Sequence, residues 1–146
     1  MVLKKGITGF GHVSSLTINE INSVLEKIKY PYLYSNIIEP QVNNNYFCIN
    51  IYNLNEKPNF KILINNTYYI IAGITMGSEW MNLHFIDLPN DFIKQIKGDE
   101  IIILNKSTLE TKVPNNEINV LDDSEIKQIN YWGSKTYGEI IFNGYD

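Results

Sequence analysis

The sequence predicts an α+β fold, with a single antiparallel or mixed sheet of about five or six strands and helices packed on one face. Segments rich in β-branched and aromatic residues fill the middle of the chain, and segments with helical periodicity lie before and after them. The 146 residues, 44% of them hydrophobic, are enough to bury a core in one globular domain, 1–146. No linker and no internal repeat divides the chain.

The first predicted element is a helix over about 18–29. Thr17-Ile18-Asn19-Glu20 has the capping-box pattern, in which the Thr side chain and the Glu side chain each accept from the other residue's backbone N–H. Pro31 ends the pattern. The apolar residues between them recur with a 3.6-residue period, namely Ile18, Ile21, Val24, Leu25 and Ile28.

The middle of the chain predicts strands. Residues 46–52 are aromatic or β-branched and lie between two Asn-rich turns. Residues 60–64 and 68–72 flank Asn65-Asn66, and this arrangement predicts a β-hairpin.

A further strand is predicted over 80–86 from alternation. The set Met81, Leu83 and Phe85 is wholly apolar, so we expect it to face the core. His84 then lies on the opposite face.

The last third of the chain predicts shorter elements. A helix over 91–97 ends at Gly98, and the apolar run 100–104 predicts a short strand buried on both faces. Asp122-Asp123-Ser124-Glu125 predicts a helix start, where acidic residues interact favourably with the helix dipole. A second capping box, Thr136-Tyr137-Gly138-Glu139, precedes a final apolar segment.

Composition argues against several classes of partner. All 12 basic residues are Lys, and 16 Asp and Glu give a net charge of −4, whereas nucleic-acid binders normally present a basic face with Arg. No apolar run is long enough for a signal peptide's core or a membrane span. We therefore expect a cytoplasmic protein that binds neither nucleic acid nor membrane.

No metal or cofactor site is predicted. His12, His84 and Cys48 lack the short spacing of metal ligands that share one element. A single cysteine also forms no internal disulfide. Cys48 and His84 could meet across the sheet, because strand pairing is not readable from sequence, but a buried structural cysteine is the favoured interpretation.

The glycines and carboxylates give no catalytic motif. Gly6, Gly9 and Gly11 are in the wrong order for a dinucleotide-binding loop, so a tightly turned or flexible N-terminal segment is expected. The carboxylates, Glu79 among them, are scattered, and Gly-x-Ser-x-Gly is absent.

Ten Tyr and two Trp are an unusual surplus. Exposed aromatic side chains beside carboxylates are typical of protein-binding surfaces, because they bury large areas at low entropic cost. The alternative is that the tyrosine rings fill the rim of the core. The acidic cluster Asp122, Asp123 and Glu125 is likewise either a solvated helix start or a surface for a basic partner.

The C-terminal run 131–146 resembles the closing segment of bacterial polymorphic-toxin immunity proteins. It covers about one tenth of the chain. Capping already accounts for two of its residues, so the run is either a folding signature or a binding site. The residues that carry the resemblance are Trp132, Thr136, Gly138, Glu139, Phe142, Asn143 and Asp146.

The resemblance implies a cytoplasmic protein that binds one cognate toxin domain, often a basic nuclease, and blocks it without turnover. Our leading hypothesis is therefore an immunity protein of contact-dependent growth inhibition or another secreted toxin system, and not an enzyme. The candidate partner contacts are Asp122, Asp123, Tyr131, Trp132 and Asp146.

Two alternatives come from other classes. A small enzyme or small-ligand-binding α+β domain would have a deep pocket in which His84, Cys48 or Glu79 converge. A structural or adaptor module would show a broad apolar patch and self-association.

Overall fold

A computed structural model describes residues 3–11, 14–79 and 82–145, which form an α+β fold. The predicted class and the predicted number of strands are confirmed. The strands are β1 (Tyr32–Ile38), β2 (Tyr46–Asn53), β3 (Phe60–Asn65), β4 (Ile70–Thr75), β5 (Phe85–Ile86) and β6 (Ile102–Ile103). The helices are α1 (Ile18–Leu25), α2 (Asn90–Ile96), α3 (Lys106–Leu109), α4 (Asn115–Ile118), α5 (Asp123–Trp132) and α6 (Tyr137–Ile141).

The sheet is a mixed one, built around an antiparallel meander. Strands β1 to β5 follow one another in chain order, each antiparallel to the last. Strand β6 pairs in parallel with the start of β4. It lies on the same side of β4 as β5, which pairs with the end of that strand. Among the described residues β1 has β2 as its one neighbouring strand, so its outer edge is free.

The helices cover both faces of the sheet and not the single face that we expected. Helices α1 and α2 pack with Ile62, Ile64 and Ile71, whereas α3, α5 and α6 pack with Leu63 and Ala72. The physical reason is that β3 and β4 are apolar at nearly every position. Side chains on both faces of these strands must be removed from water, and a helical layer is needed on each side.

The predicted start of α1 is confirmed, and its predicted end is wrong. Thr17 Oγ1 accepts from the Glu20 N–H at 3.3 Å, and Glu20 Oε1 accepts from the Thr17 N–H at 3.1 Å, as the capping box predicts. The helix ends at Leu25 and not near residue 29, because the following turn closes with i→i−3 bonds. The longest helix of the described residues, α5, has ten residues, and none of the described helices is long and apolar enough to cross a bilayer.

The hairpin at Asn65-Asn66 is confirmed, since β3 and β4 pair across it. The strand predicted over 80–86 is shorter, with only Phe85–Ile86 pairing with β4. Leu83 and Phe85 pack against the core, and His84 is exposed, as predicted. Trp80 and Met81 lie outside the described residues.

Two strands differ from expectation. The run 100–104 is not buried on both faces, because β6 pairs with only the first two residues of β4 and Ile102 is 44% exposed. Strand β1 was not predicted at all. Its apolar pattern is interrupted by Ser35 and Asn36, where a bulge shifts the pairing with β2.

Candidate protein-binding surface

The three carboxylates of the predicted acidic cluster, at the N-terminal end of α5, lie in three different environments. Asp122 is the N-cap residue, and its half-buried carboxylate lies 3.8 Å from the Lys5 ammonium. Asp123, in the first turn, is exposed. Glu125 is fully buried. Asp123 is therefore the member of the cluster whose carboxylate is most available to a partner.

Glu125 is a structural anchor, which corrects its interpretation as part of a solvated helix start. Its Oε1 accepts from the Gly6 N–H at 2.9 Å and from the Asp122 N–H at 3.2 Å. Its Oε2 accepts from the Thr8 N–H at 3.1 Å and the Thr8 hydroxyl at 2.6 Å. Four donors thus satisfy a carboxylate that has no exposure to solvent, and they attach the N-terminal loop to α5.

The C-terminal end of α5 presents two aromatic side chains. Tyr131 is 80% exposed and Trp132 is 40% exposed. Their rings meet edge to face with centroids 5.4 Å apart, and the Trp132 indole N–H donates to Gln128 Oε1 at 3.1 Å. The helix ends at Gly133, whose φ of 68° is the left-handed conformation that favours glycine.

The ring of Trp132 packs against the ring of Tyr145. The two rings are stacked, with centroids 6.2 Å apart and an angle of 17° between their planes. The Tyr145 hydroxyl donates to Ser134 Oγ at 2.6 Å, and burial raises the pKa of Tyr145 to about 12. Because Tyr145, Gln128 and Tyr131 all contact Trp132, its exposed ring loses little additional freedom on binding a partner.

A cleft of about 310 Å³ lies beside the stacked rings of Trp132 and Tyr145. Trp132 and Phe85 contribute apolar lining, and Glu139 and Asn82 contribute polar lining. Its volume is at the lower end for small-molecule pockets. A cleft of this size can hold either a small ligand or a protein side chain.

We call Asp122, Asp123, Tyr131 and Trp132 the α5 surface. The ten residues of α5 span about 15 Å, so its acidic and aromatic ends fit within one standard interface patch of about 800 Å² per partner. The fifth predicted contact, Asp146, lies outside the described residues.

Nearly half of the described part of the C-terminal run that carries the resemblance is buried. Thr136 and Glu139 form the predicted capping box, with the Thr136 N–H donating to Glu139 Oε1 at 3.1 Å. Gly138 is buried, and a Cβ there would lie 2.5 Å from Phe85 Cε2. Phe142 and Asn143 are buried as well. The role of these buried residues is therefore structural, and Trp132 and Glu139 are the exposed residues among the members of the set that the structure describes.

Asn143 belongs to a buried network of asparagines that sequence analysis missed. Asn45 and Asn65 each donate through Nδ2 to the carbonyls of Ile7 and Ile141, at 2.8 to 3.1 Å. The Asn143 N–H donates to Asn45 Oδ1 at 2.9 Å. The sequence pattern assigned Asn45 and Asn65 to turns, because nothing local shows that they meet the C-terminal segment.

The residues of the enzyme alternative are not brought together. Cys48 lies on β2 and His84 precedes β5, so β3 and β4 separate them by about 14 Å across the sheet. Glu79 is exposed. A cleft of about 560 Å³ lined by apolar residues including Leu16 and Leu104 contains none of the three.

No group of three or more His, Cys, Asp or Glu side chains that could hold a metal occurs within residues 3–11, 14–79 and 82–145. His12 lies outside these ranges. The glycine string forms tight turns, with Gly6 and Gly9 at φ of 89° and 85°.

Cys48 is expected to react slowly with thiol reagents. Burial raises the pKa of its thiol, and the nearby Lys61 ammonium acts in the opposite direction with a smaller effect. The reactive thiolate is therefore scarce at neutral pH. We expect labelling by a disulfide reagent at pH 7.5 to be about tenfold slower or more in the native protein than in urea. Cys48 is partly buried and not fully buried as expected, and equal rates in the two conditions would contradict that partial burial.

Comparison of the chain with protein-family models, with curated proteins and with solved structures finds no match. The functional proposal is therefore built on the geometry and chemistry of the α5 surface.

Proposed function

We propose that the protein is an immunity protein, which binds a cognate bacterial toxin domain one-to-one and occludes it without chemical turnover. The observation that carries the proposal is the aromatic pair on α5, where Tyr131 and Trp132 are exposed yet held by neighbouring rings. Large aromatic side chains in fixed positions are the residues that most often dominate the binding energy of an interface.

Energetics favour a protein over a small ligand at this surface. Tyr131 is 80% exposed and does not line the adjoining cleft, so a partner with an extended surface is better able to bury its ring than a small ligand in the cleft. The adjoining cleft then receives one partner side chain beside Trp132. A standard interface of about 1,600 Å² in total would cover both ends of α5 and its surroundings.

Charge supports a basic partner. The chain has a net charge of −4, and Asp123 lies exposed at the opposite end of the same helix from the aromatic pair. Acidic groups at the rim of an interface accelerate encounter with a basic protein and set its orientation. A toxin nuclease with a basic active-site cleft has the required complementarity.

The proposal is tested by co-expression with the product of the neighbouring upstream gene. We expect a complex of equal molar amounts to survive size-exclusion chromatography, and bacteria that express both proteins to grow. Growth arrest despite expression of both proteins, together with separate elution, would contradict the immunity function.

Charge reversal at Asp123 is expected to slow association with that partner. The substitution Asp123→Lys raises the net charge by two, and it acts at an exposed residue in the first turn of α5. We expect the association rate constant at low salt to fall by about threefold to tenfold, and its dependence on salt to decrease. Stopped-flow fluorescence measures both quantities.

Asp99→Lys is the matched control for this reversal. Asp99 is exposed and follows α2, on the other face of the sheet from α5. Its reversal changes the net charge by the same amount, so a general effect of charge would slow both variants equally. An equal decrease in the two association rate constants would show that Asp123 does not belong to the interface.

A further inference from the structure

Strand β1 is a free sheet edge of unusual composition. It has seven residues, and among the described residues it pairs with β2 on one side and with no strand on the other. Proteins usually protect such edges with charged side chains or proline, because unpaired backbone N–H and C=O groups recruit further strands. The sequence of β1, Tyr-Leu-Tyr-Ser-Asn-Ile-Ile, contains neither.

Apolar side chains are exposed along this edge. Leu33 is 53% exposed, Tyr34 41% and Ile38 55%. Tyr52, on the neighbouring strand β2, is also exposed beside Leu33, its direct pairing partner. The edge therefore combines free backbone groups with uncovered apolar surface.

The bulge in β1 determines which of these side chains share a face. The β2 partners of Leu33 and Ile38 are four residues apart, so both side chains project from the same face of the sheet. The partners of Tyr34 and Ile37 are two residues apart, so this pair shares the other face. Without the extra residue of the bulge, the two members of each pair would lie on opposite faces.

We propose that β1 pairs antiparallel with β1 of a second copy of this chain, about a two-fold axis between Ser35 and Asn36. In this register Leu33 lies opposite Ile38 of the second copy, and Tyr34 lies opposite Ile37. The two members of each cross-strand pair share a face, as antiparallel pairing requires. Both strands have the bulge at the same position, so the register of the pairing is the same before and after it.

The surface fits a second copy because its pattern is symmetric. The polar pair Ser35-Asn36 is flanked by Leu33 and Tyr34 on one side and by Ile37 and Ile38 on the other, so a two-fold axis between the polar residues brings apolar side chains together twice. No charged residue of β1 meets its own copy. The edge shares no residue with the α5 surface, so the inference goes beyond the proposed function and leaves that surface free.

Sedimentation equilibrium of the full chain tests the proposal. We expect a molar mass of twice 16.9 kDa that falls on dilution, because a seven-residue edge buries less area than a standard interface and gives association in about the micromolar range. Each of the substitutions Leu33→Lys and Ile38→Glu is expected to weaken dimerisation at least about tenfold, since it places a charge opposite an apolar side chain.

The double variant Leu33→Lys/Ile38→Glu tests the register. In the two-fold pairing, the introduced ammonium of one copy lies opposite the introduced carboxylate of the other, so the double variant is expected to dimerise more tightly than either single variant. Ile102→Lys is the matched control. Ile102 is 44% exposed on β6, which lies at the other edge of the sheet from β1. Its substitution is expected to leave dimerisation unchanged.

The proposal is overturned if the wild-type chain is monomeric at about 100 µM. It is also overturned if Leu33→Lys leaves the dissociation constant unchanged, or if the double variant is no tighter than the single ones. A monomeric wild type whose toxin binding is lost in Leu33→Lys would assign the edge to a strand of the toxin instead. Both substituted side chains are more than half exposed, and circular dichroism verifies that the variants fold.

Discussion

Replacing Glu125 with alanine is expected to lower the free energy of unfolding by about 3–5 kcal/mol. The carboxylate is fully buried and accepts from two backbone N–H groups and a hydroxyl in the N-terminal loop, as well as from the Asp122 N–H. The substitution leaves these donors buried without an acceptor, and it detaches the loop from α5. Urea denaturation followed by circular dichroism measures the loss.

Two variants make this result specific. Glu125→Gln keeps the volume of the side chain and one acceptor oxygen, so we expect a loss smaller than that of the alanine variant. Asp123→Ala removes an exposed carboxylate from the same helical turn, and its expected loss is below about 1 kcal/mol. A loss for Glu125→Ala as small as that of Asp123→Ala would show that the buried hydrogen bonds do not hold the loop.

Replacing Trp132 with alanine is expected to weaken the complex with the toxin by about 2 kcal/mol or more, which is roughly thirtyfold in the dissociation constant. The indole is partly exposed, stacked on Tyr145 and in edge-to-face contact with Tyr131. Its position is therefore set before binding, and truncation removes both the contact area and the wall of the adjoining cleft. Isothermal titration calorimetry measures the effect.

Tyr30→Ala is the matched control for this variant. Tyr30 is 72% exposed just before β1, so the substitution removes an aromatic ring that is more accessible than Trp132 from a different part of the surface. We expect its dissociation constant to equal that of the wild type. The opposite pattern, with Tyr30→Ala weakened and Trp132→Ala unchanged, would place the interface at the β1 edge.

The elements that could be predicted are those specified by neighbours in sequence. The capping boxes at Thr17 and Thr136 and the hairpin at Asn65-Asn66 need only a few adjacent residues, and all three are present. Strand β1 was missed because its bulge at Ser35 and Asn36 breaks the two-residue alternation on which strand prediction depends.

The division of the helices between two faces was also not predictable from local patterns. An apolar run such as β3 shows that both faces are buried, but it does not show what covers each of them. The chain places α1 and α2 on one side and the C-terminal helices on the other, and this choice depends on the path of the connections.

The candidate site was predicted in part. Tyr131 and Trp132 are exposed, as a binding surface requires, because they follow the last buried residue of α5, Ile129. Glu125 could not be distinguished from Asp123 by sequence, since its partners in the N-terminal loop are more than one hundred residues away. Charge alone indicated an acidic surface, and the tertiary contacts determined which carboxylate is presented.

Titration of toxin activity with the purified protein tests the central claim most directly. If this chain acts by stoichiometric occlusion, residual toxin activity falls linearly and reaches zero at one molar equivalent, and longer incubation does not change the end point. Complete protection at a small fraction of an equivalent, increasing with time, would show that the protein inactivates its target by turnover, and would contradict the account.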